Sequence, residues 1–212
     1  MTTQHSTCVI ACLCFAILAL SACGSAGPPP DLYVLGGAAP VGAGPVVRPG
    51  GPVVQLEPVR IPDYLDTTDI LTRGDGGRIV ASRSGRWGER LSLGVTRAVA
   101  ASLGPRLSRL IVTTSRPLDT PRWQVLIDVD AFDVRPGAQC VLMGRWSIWA
   151  GGGGPKLQEE RFSLTGRVES GGDPEVVAVM TRELDELAAL IAPALERGEE
   201  RLTGGDGSPN DH

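Results

Sequence analysis

The chain has 212 residues, enough for one well-cored domain and few for two. Its 20 Lys and Arg against 24 Asp and Glu leave a net charge of −4, and no basic face stands out, which argues against a nucleic-acid partner because phosphate contacts supply most of that affinity. A hydrophobic share of 42% with 21% charged residues is that of a globular chain rather than a disordered one.

The first element is the apolar run Val9 to Leu20, "VIACLCFAILAL", followed by small residues. A membrane-spanning helix needs about 20 apolar residues, so the run is too short to span and reads as the core of an export signal. Its leading segment "MTTQHST" carries no Lys or Arg, an atypical feature. Leu20-Ser21-Ala22-Cys23 then matches a bacterial lipobox: an aliphatic residue, two small residues and a cysteine. The aliphatic side chain seats the end of the signal core in the peptidase, and the small residues let the backbone approach. The Cys23 thiol takes a diacylglycerol and becomes residue one. Residues 1–22 are thus expected to be a signal peptide and 23–30, "CGSAGPPP", a lipidated tether stiffened by its prolines. Gly24 and Ser25 follow Cys23 where an Asp would be an inner-membrane retention signal, which favours the outer membrane, inner leaflet, facing the periplasm.

Beyond the tether, "DLYVL" (31–35) reads as a strand, 36–51 as a Gly/Pro loop, and 52–61 as a strand interrupted by Pro58. "PDYLDTTDILTR" leads to the turn "GDGG" and a short strand "RIVAS". Arg86 to Leu103 has a helical period, with Trp87, Leu91, Val95, Ala98 and Ser102 near one face. Ser84 is a candidate cap, and Gly104-Pro105 a stop. Strands follow at 109–114, 122–134, 138–150 and 157–168, the middle two forming a hairpin across "RPG". Along 122–134, Trp123, Val125, Ile127, Val129 and Ala131 alternate onto one side. A last helix opens with Asp173 as N-cap and Pro174 at its first position, carries Val177, Leu184, Leu187 and Ile191 at helical spacing, and should kink or end at Pro193. Residues 198–212 read as a disordered tail. The sum is a single α+β domain over 31–197, an antiparallel-rich mixed sheet with two main helices packed on one face.

Candidate chemistry is sparse. Asp128, Asp130 and Asp133 lie close in "DVDAFD", with Asp128 and Asp130 on one strand face. Such carboxylates could hold a divalent cation or run acid/base chemistry, but a solvated face opposite the Trp123 side is the simpler reading. "GGGGPK" (151–156) fails as a phosphate loop, since Pro155 precedes Lys156 and a strand follows, so it is a hairpin loop. Trp146 and Trp149, three apart on a strand, point to opposite faces, one into the core and the other toward a groove or interface. Trp87 reads as packing at the head of the first helix. Of five cysteines, Cys8, Cys12 and Cys14 leave with the signal and Cys23 is acylated. Cys140 then stands alone as a packed strand thiol with no basic neighbour to activate it. His212 is the single histidine after residue 23, which removes Ser-His-Asp and Cys-His catalysis and most zinc chemistry. Neither a catalytic residue, a metal site nor a cofactor is expected.

Together "PDYLDTTDILTR", "RWGERLSLGVTRAVAASL", "IDVDAFDV" with "VLMGRWSIW", the terminal amphipathic helix and Tyr33-Val34-Leu35 resemble the ABC-type transport auxiliary lipoprotein family, the group that includes paraquat-inducible protein C. The similarity covers roughly residues 31–197 plus the lipobox. Its departures are the Gly/Pro insert after Leu35, the GGGG loop and Pro193. The resemblance implies an accessory role in intermembrane transport beside an ABC ATPase, a permease and MCE-domain proteins. It would dock that assembly at the outer membrane and help move phospholipid or another hydrophobic molecule, with a homo-oligomeric ring as a plausible state. The competing readings are a structural envelope lipoprotein without a transport role and a periplasmic hydrolase, which would need a Lys or carboxylate base.

Overall fold

The computed structural model describes residues 28–36, 51–135 and 138–204. The signal core, Cys23, the Gly/Pro insert, Pro136-Gly137 and His212 lie outside the described residues. Eight strands form one mixed sheet, and two long helices lie against it in a single α+β domain. The strands are β1 (Asp31–Tyr33), β2 (Val53–Leu56), β3 (Asp69–Arg73), β4 (Ile79–Trp87), β5 (Ile111–Thr113), β6 (Trp123–Arg135), β7 (Gln139–Ala150) and β8 (Lys156–Arg167). The helices are α1 (Leu91–Arg106) and α2 (Asp173–Gly204).

The 13-residue β6 is the axis. On one side it pairs antiparallel with β7, and β7 with β8, in a long meander. Two short groups share its other side: β2 runs parallel to it at Trp123–Val125 and carries β5 beyond, while β3 meets it at Val134 and carries β4 and then β1. The long pairings are antiparallel and the short ones mostly parallel.

Alternation along β6 holds only as far as Val129. The register against β7 shifts between Val129 and Ala131, so Asp130 is the extra residue of a bulge. Gly144, opposite Val129, permits it: a Cβ there would overlap the Asp128 carbonyl oxygen. Beyond the bulge Phe132 and Val134 take the inward positions, and Ala131, expected beside Val129, moves with Asp133 to the other face. Trp123, Val125, Ile127, Phe132, Leu142 and Trp146 are buried in one continuous core with Val95, Val99 and Leu103 of α1 and Val179, Leu184, Leu187 and Ile191 of α2.

Two boundaries differ from the sequence expectation. Arg86 and Trp87 belong to β4 rather than to a helix, Trp87 N–H donating to the Thr68 carbonyl at 2.8 Å, and α1 starts at Leu91. Its cap comes from Asp66, 26 residues upstream, whose Oδ1 accepts the Ser92 N–H at 3.0 Å and which ion-pairs with Arg90. Burial would raise the Asp66 carboxyl, but the Ser92 and Arg90 bonds outweigh it and hold it below the ordinary aspartate range. Ser84 instead donates to Asp173 Oδ2 at 2.7 Å, as Ser82 does at 2.8 Å, pinning the start of α2 to β4. The second difference is α2 itself, which runs through Pro193 to Gly204 and so includes residues 198–204 of the expected tail. Pro193 and Ala189, whose carbonyl loses its partner to the proline, are both on the exposed face, where the missing bond costs least because the carbonyl is not sealed from solvent.

Candidate functional site

The three acidic residues of β6 do not form a site. Asp128 ion-pairs with Arg60 at 2.7 Å and with Arg145 at 3.1 Å, at the bridge that joins Arg60 to the sheet. Asp130 is exposed on the bulge. Asp133, expected on a solvated face, is fully buried: its Oδ2 accepts from Arg73 Nε at 3.0 Å and its Oδ1 from Arg135 Nε at 3.2 Å, with Tyr64 Oη against the same Arg73 at 2.8 Å. Bond acceptance and the Asp133 charge hold the Arg73 guanidinium firmly protonated. Among the described residues no cluster of three or more His, Cys, Asp or Glu could hold a metal ion.

The GGGG loop is a turn with a steric cause. Gly151 N–H donates to the Arg122 carbonyl at 3.1 Å, and a Cβ on Gly151 would overlap the Pro121 carbonyl. Gly152 and Gly153 hold φ of 68° and 78°, a region other residues rarely adopt. Lys156 faces Trp149, 5.8 Å from its ring centroid, and pairs with Glu159 at 2.8 Å. Trp146 is buried under the helices, and Trp149 is half-buried on the opposite face with its Nε1–H donated to Ser147 Oγ at 3.0 Å. Cys140 is fully buried, and burial, followed by the nearby Glu183, pushes its thiol up, away from the reactive thiolate.

The helix-free face of the sheet carries an open cleft of about 580 Å³ where the segment 114–121 overhangs β2 and β6. Gln55, Glu57, Arg116, Asp119 and Gln124 supply its polar groups, set among prolines. Gln124 Nε2 donates to Glu57 at 3.3 Å, and a second recess of about 340 Å³ continues past Glu57 to Arg60 and Leu126. This cleft is not visible in the sequence because the overhanging segment has no periodicity and meets β2 only in the fold. Nor is Glu183, a buried carboxyl under α2. One signal could have found it: Val176, Val179, Glu183, Leu187 and Ile191 recur at three- and four-residue spacing, so the stripe places an acid on the core face.

The motif Tyr33-Val34-Leu35 has a packing cause. Tyr33 lies over Gly85, where a Cβ would stand 2.8 Å from Tyr33 Cε2, and Leu35 is buried beside Gly94. Arg97 of α1 clasps this segment through the Leu35 carbonyl at 3.2 Å and ion-pairs with Glu89.

Comparison with known proteins agrees with this fold. Two crystal structures resemble it along most of their length: an uncharacterized protein, 19% identical, covering 79% of this chain and 99% of its own with a TM-score of 0.65, and protein XCC0632 from Xanthomonas campestris, 15% identical, covering 82% and 97% with a TM-score of 0.61. At these identities the likeness is one of fold. No curated protein matches. Residues 33–192, from the Tyr-x-Leu motif to the residue before Pro193, match the family described as the ABC-type transport auxiliary lipoprotein component. That span takes in every strand from the end of β1 to β8, all of α1 and most of α2, and this chain belongs to the ABC-type transport auxiliary lipoprotein family.

Proposed function

We propose that this protein is a periplasm-facing lipoprotein, held by acyl chains on Cys23 in the inner leaflet of the outer membrane, that docks an MCE-type transport assembly. An ABC ATPase and a permease would drive that assembly, and phospholipid or another hydrophobic molecule would be its cargo. The observation that carries the reading is the placement of the lipobox Leu20–Cys23, directly behind an export core and ten residues ahead of the start of the family match at residue 33. One acyl chain at about 0.8 kcal/mol per buried CH₂ binds only marginally, whereas two or three hold a protein on the membrane. Residues 1–22 are then the cleaved signal and 23–30 the tether. The mixed-charge cleft supports a docking role, because amides and charges of both signs beside prolines suit an extended polypeptide better than an acyl chain.

The test is expression in a bacterial envelope with an alkyne-tagged palmitate, comparing wild type with Cys23→Ala, then extraction in mild detergent. Label on wild type alone, co-purifying MCE protein and bound lipid would support the whole reading. Label without partner or lipid would favour a structural envelope lipoprotein, and no label on wild type would overturn the anchor.

A further inference from the structure

Glu183 occupies a position on α2 that the helical period reserves for an apolar side chain, between Val179, Met180, Leu184 and Leu187. It is 1% exposed, and no charged side chain bonds its carboxyl, whose nearest polar neighbours are the Cys140 thiol and the Gly166 backbone. Three elements build the slot it fills. Cys140 of β7 and Gly166 of β8 are paired across the hairpin, and α2 crosses above them. Gly166 makes the room: a Cβ there would overlap Val179 Cγ1 and stand 3.2 Å from Glu183 Oε1.

No cation faces the carboxyl. From β7 it meets the buried Cys140 thiol, and from β8 the backbone of Gly166, two weak contacts that favour the ionised form without outweighing burial. On its own helix Arg182 and Glu186 act on it from exposed positions with opposite effect. Asp133 of β6 reaches Cys140 electrostatically but is itself held by Arg73 and Arg135. A neutral acid is tolerated in such a slot; an ion there lacks both water and a counter-charge. Burial accordingly pushes the Glu183 carboxyl up to about 7.

We propose that Glu183 is a proton-operated latch between α2 and the β7–β8 hairpin: protonated, it lets the helix lie on the Cys140–Gly166 pair, and ionised, it drives a local opening there. The helix remains held on either side, by Asp173 against Ser82 and Ser84 and by Asp185 against Ser102 and Arg106. Opening between those points uncovers Cys140 and the apolar underside formed by Val176, Val179 and Met180, a surface shown only as pH rises. The latch does not depend on the transport reading.

Cys140 is the built-in reporter. In the full-length protein, maleimide labelling at Cys140 is followed by mass spectrometry in wild type and Glu183→Gln. The rate ratio at each pH cancels the ordinary ionisation of the thiol. That ratio should be within a few-fold of one at about pH 5 and rise by roughly tenfold or more by about pH 8. A charged Glu183 would by itself suppress the thiolate, so the rise cannot come from electrostatics alone. A flat ratio overturns the latch. Hydrogen exchange on wild type serves if Glu183→Gln fails to fold: corrected protection of residues 176–184 should fall across the same range while β6 keeps its own. Equal change in both, or none, would also overturn it.

Discussion

Asp133 and Glu183 are sealed inside this protein on opposite sides of the β6–β7 strand pair, and they are treated in opposite ways. Asp133, on the helix-free face of β6, is 0% exposed and grips two guanidiniums. Glu183, under α2 on the helix-covered face, is 1% exposed and has none. The difference lies in what the neighbouring strands can deliver. Arg73 at the end of β3 and Arg135 at the end of β6 keep about a third of their side chains in water while their donors reach inward, so burying Asp133 costs no isolated charge. Around Glu183 the strands offer a thiol and a glycine, and the acid stays in place by remaining neutral. One group ties the sheet together; the other makes the helix seat depend on protons.

The largest effect should come from breaking the tied group. Asp133→Ala removes the shared acceptor of Arg73 and Arg135 and should cost about 3 kcal/mol, the low end for a broken buried pair because both arginines can rehydrate. Urea unfolding at constant m-value measures it. A loss below about 1 kcal/mol would mean that Asp133 is held no more tightly than an exposed ion pair.

Glu183 should give an effect of comparable size at neutral pH, but one that depends on pH. Its folded value, about 7, stands above the unfolded 4.5, so the native state holds the proton more tightly. The stability this confers is fully present below about pH 4.5 and is lost as pH rises to about 7, a fall of about 3 kcal/mol that then levels off. Asp66, Asp185, Glu159 and Glu175 work in the other direction, each held low by bonds to its partners and losing stabilisation as pH falls. The difference between wild type and Glu183→Gln isolates the latch: the variant should lack the downward slope between about pH 5 and 7, and a slope retained in full would place its cause elsewhere.

Gly166→Ala tests the slot itself. The new methyl overlaps Val179 and crowds Glu183, an overpacking that should cost about 2 kcal/mol. Adding Val179→Ala should recover part of it, because the two sites share one space. Chemical denaturation of the double variant decides this, and strict additivity would mean that the strain is not between these two side chains.

The same contrast explains what could be read from the chain. The β6–β7–β8 meander and the start of α2 were legible because their signals are local: alternation of apolar residues, a GGGG turn, Asp173-Pro174 ahead of an apolar stripe. The bulge at Asp130 was not, because Gly144, which allows it, sits on the next strand. The start of α1 lies later than its helical period suggests for a similar reason, its cap being a carboxylate 26 residues away. Asp66→Ala should therefore cost about 1 kcal/mol, the ordinary worth of a cap, whereas Ser84→Ala should leave α1 untouched. Circular dichroism and urea midpoints would show an unchanged midpoint for Asp66→Ala if the cap were local after all. Asp133 and Asp128 look alike in "DVDAFD"; only the fold shows that β3 brings an arginine under one, and that the chain past β2 brings another beside the other.

Asp128 is accordingly where the smallest effect is expected. Its partners Arg60 and Arg145 are more than half exposed, and such pairs contribute little because water screens them and two long side chains must be held still. Asp128→Asn should change stability by less than about 0.5 kcal/mol. The same position tests the reading of "DVDAFD" as a cation site. A bound ion would stabilise the native state by mass action, so millimolar magnesium or calcium would raise Tm in wild type and not in Asp128→Asn. With Asp128 already neutralised by two arginines, Asp133 held by two of its own, and Asp130 left by itself on the bulge, no cluster of free carboxylates is left to share an ion, and the expected shift is none.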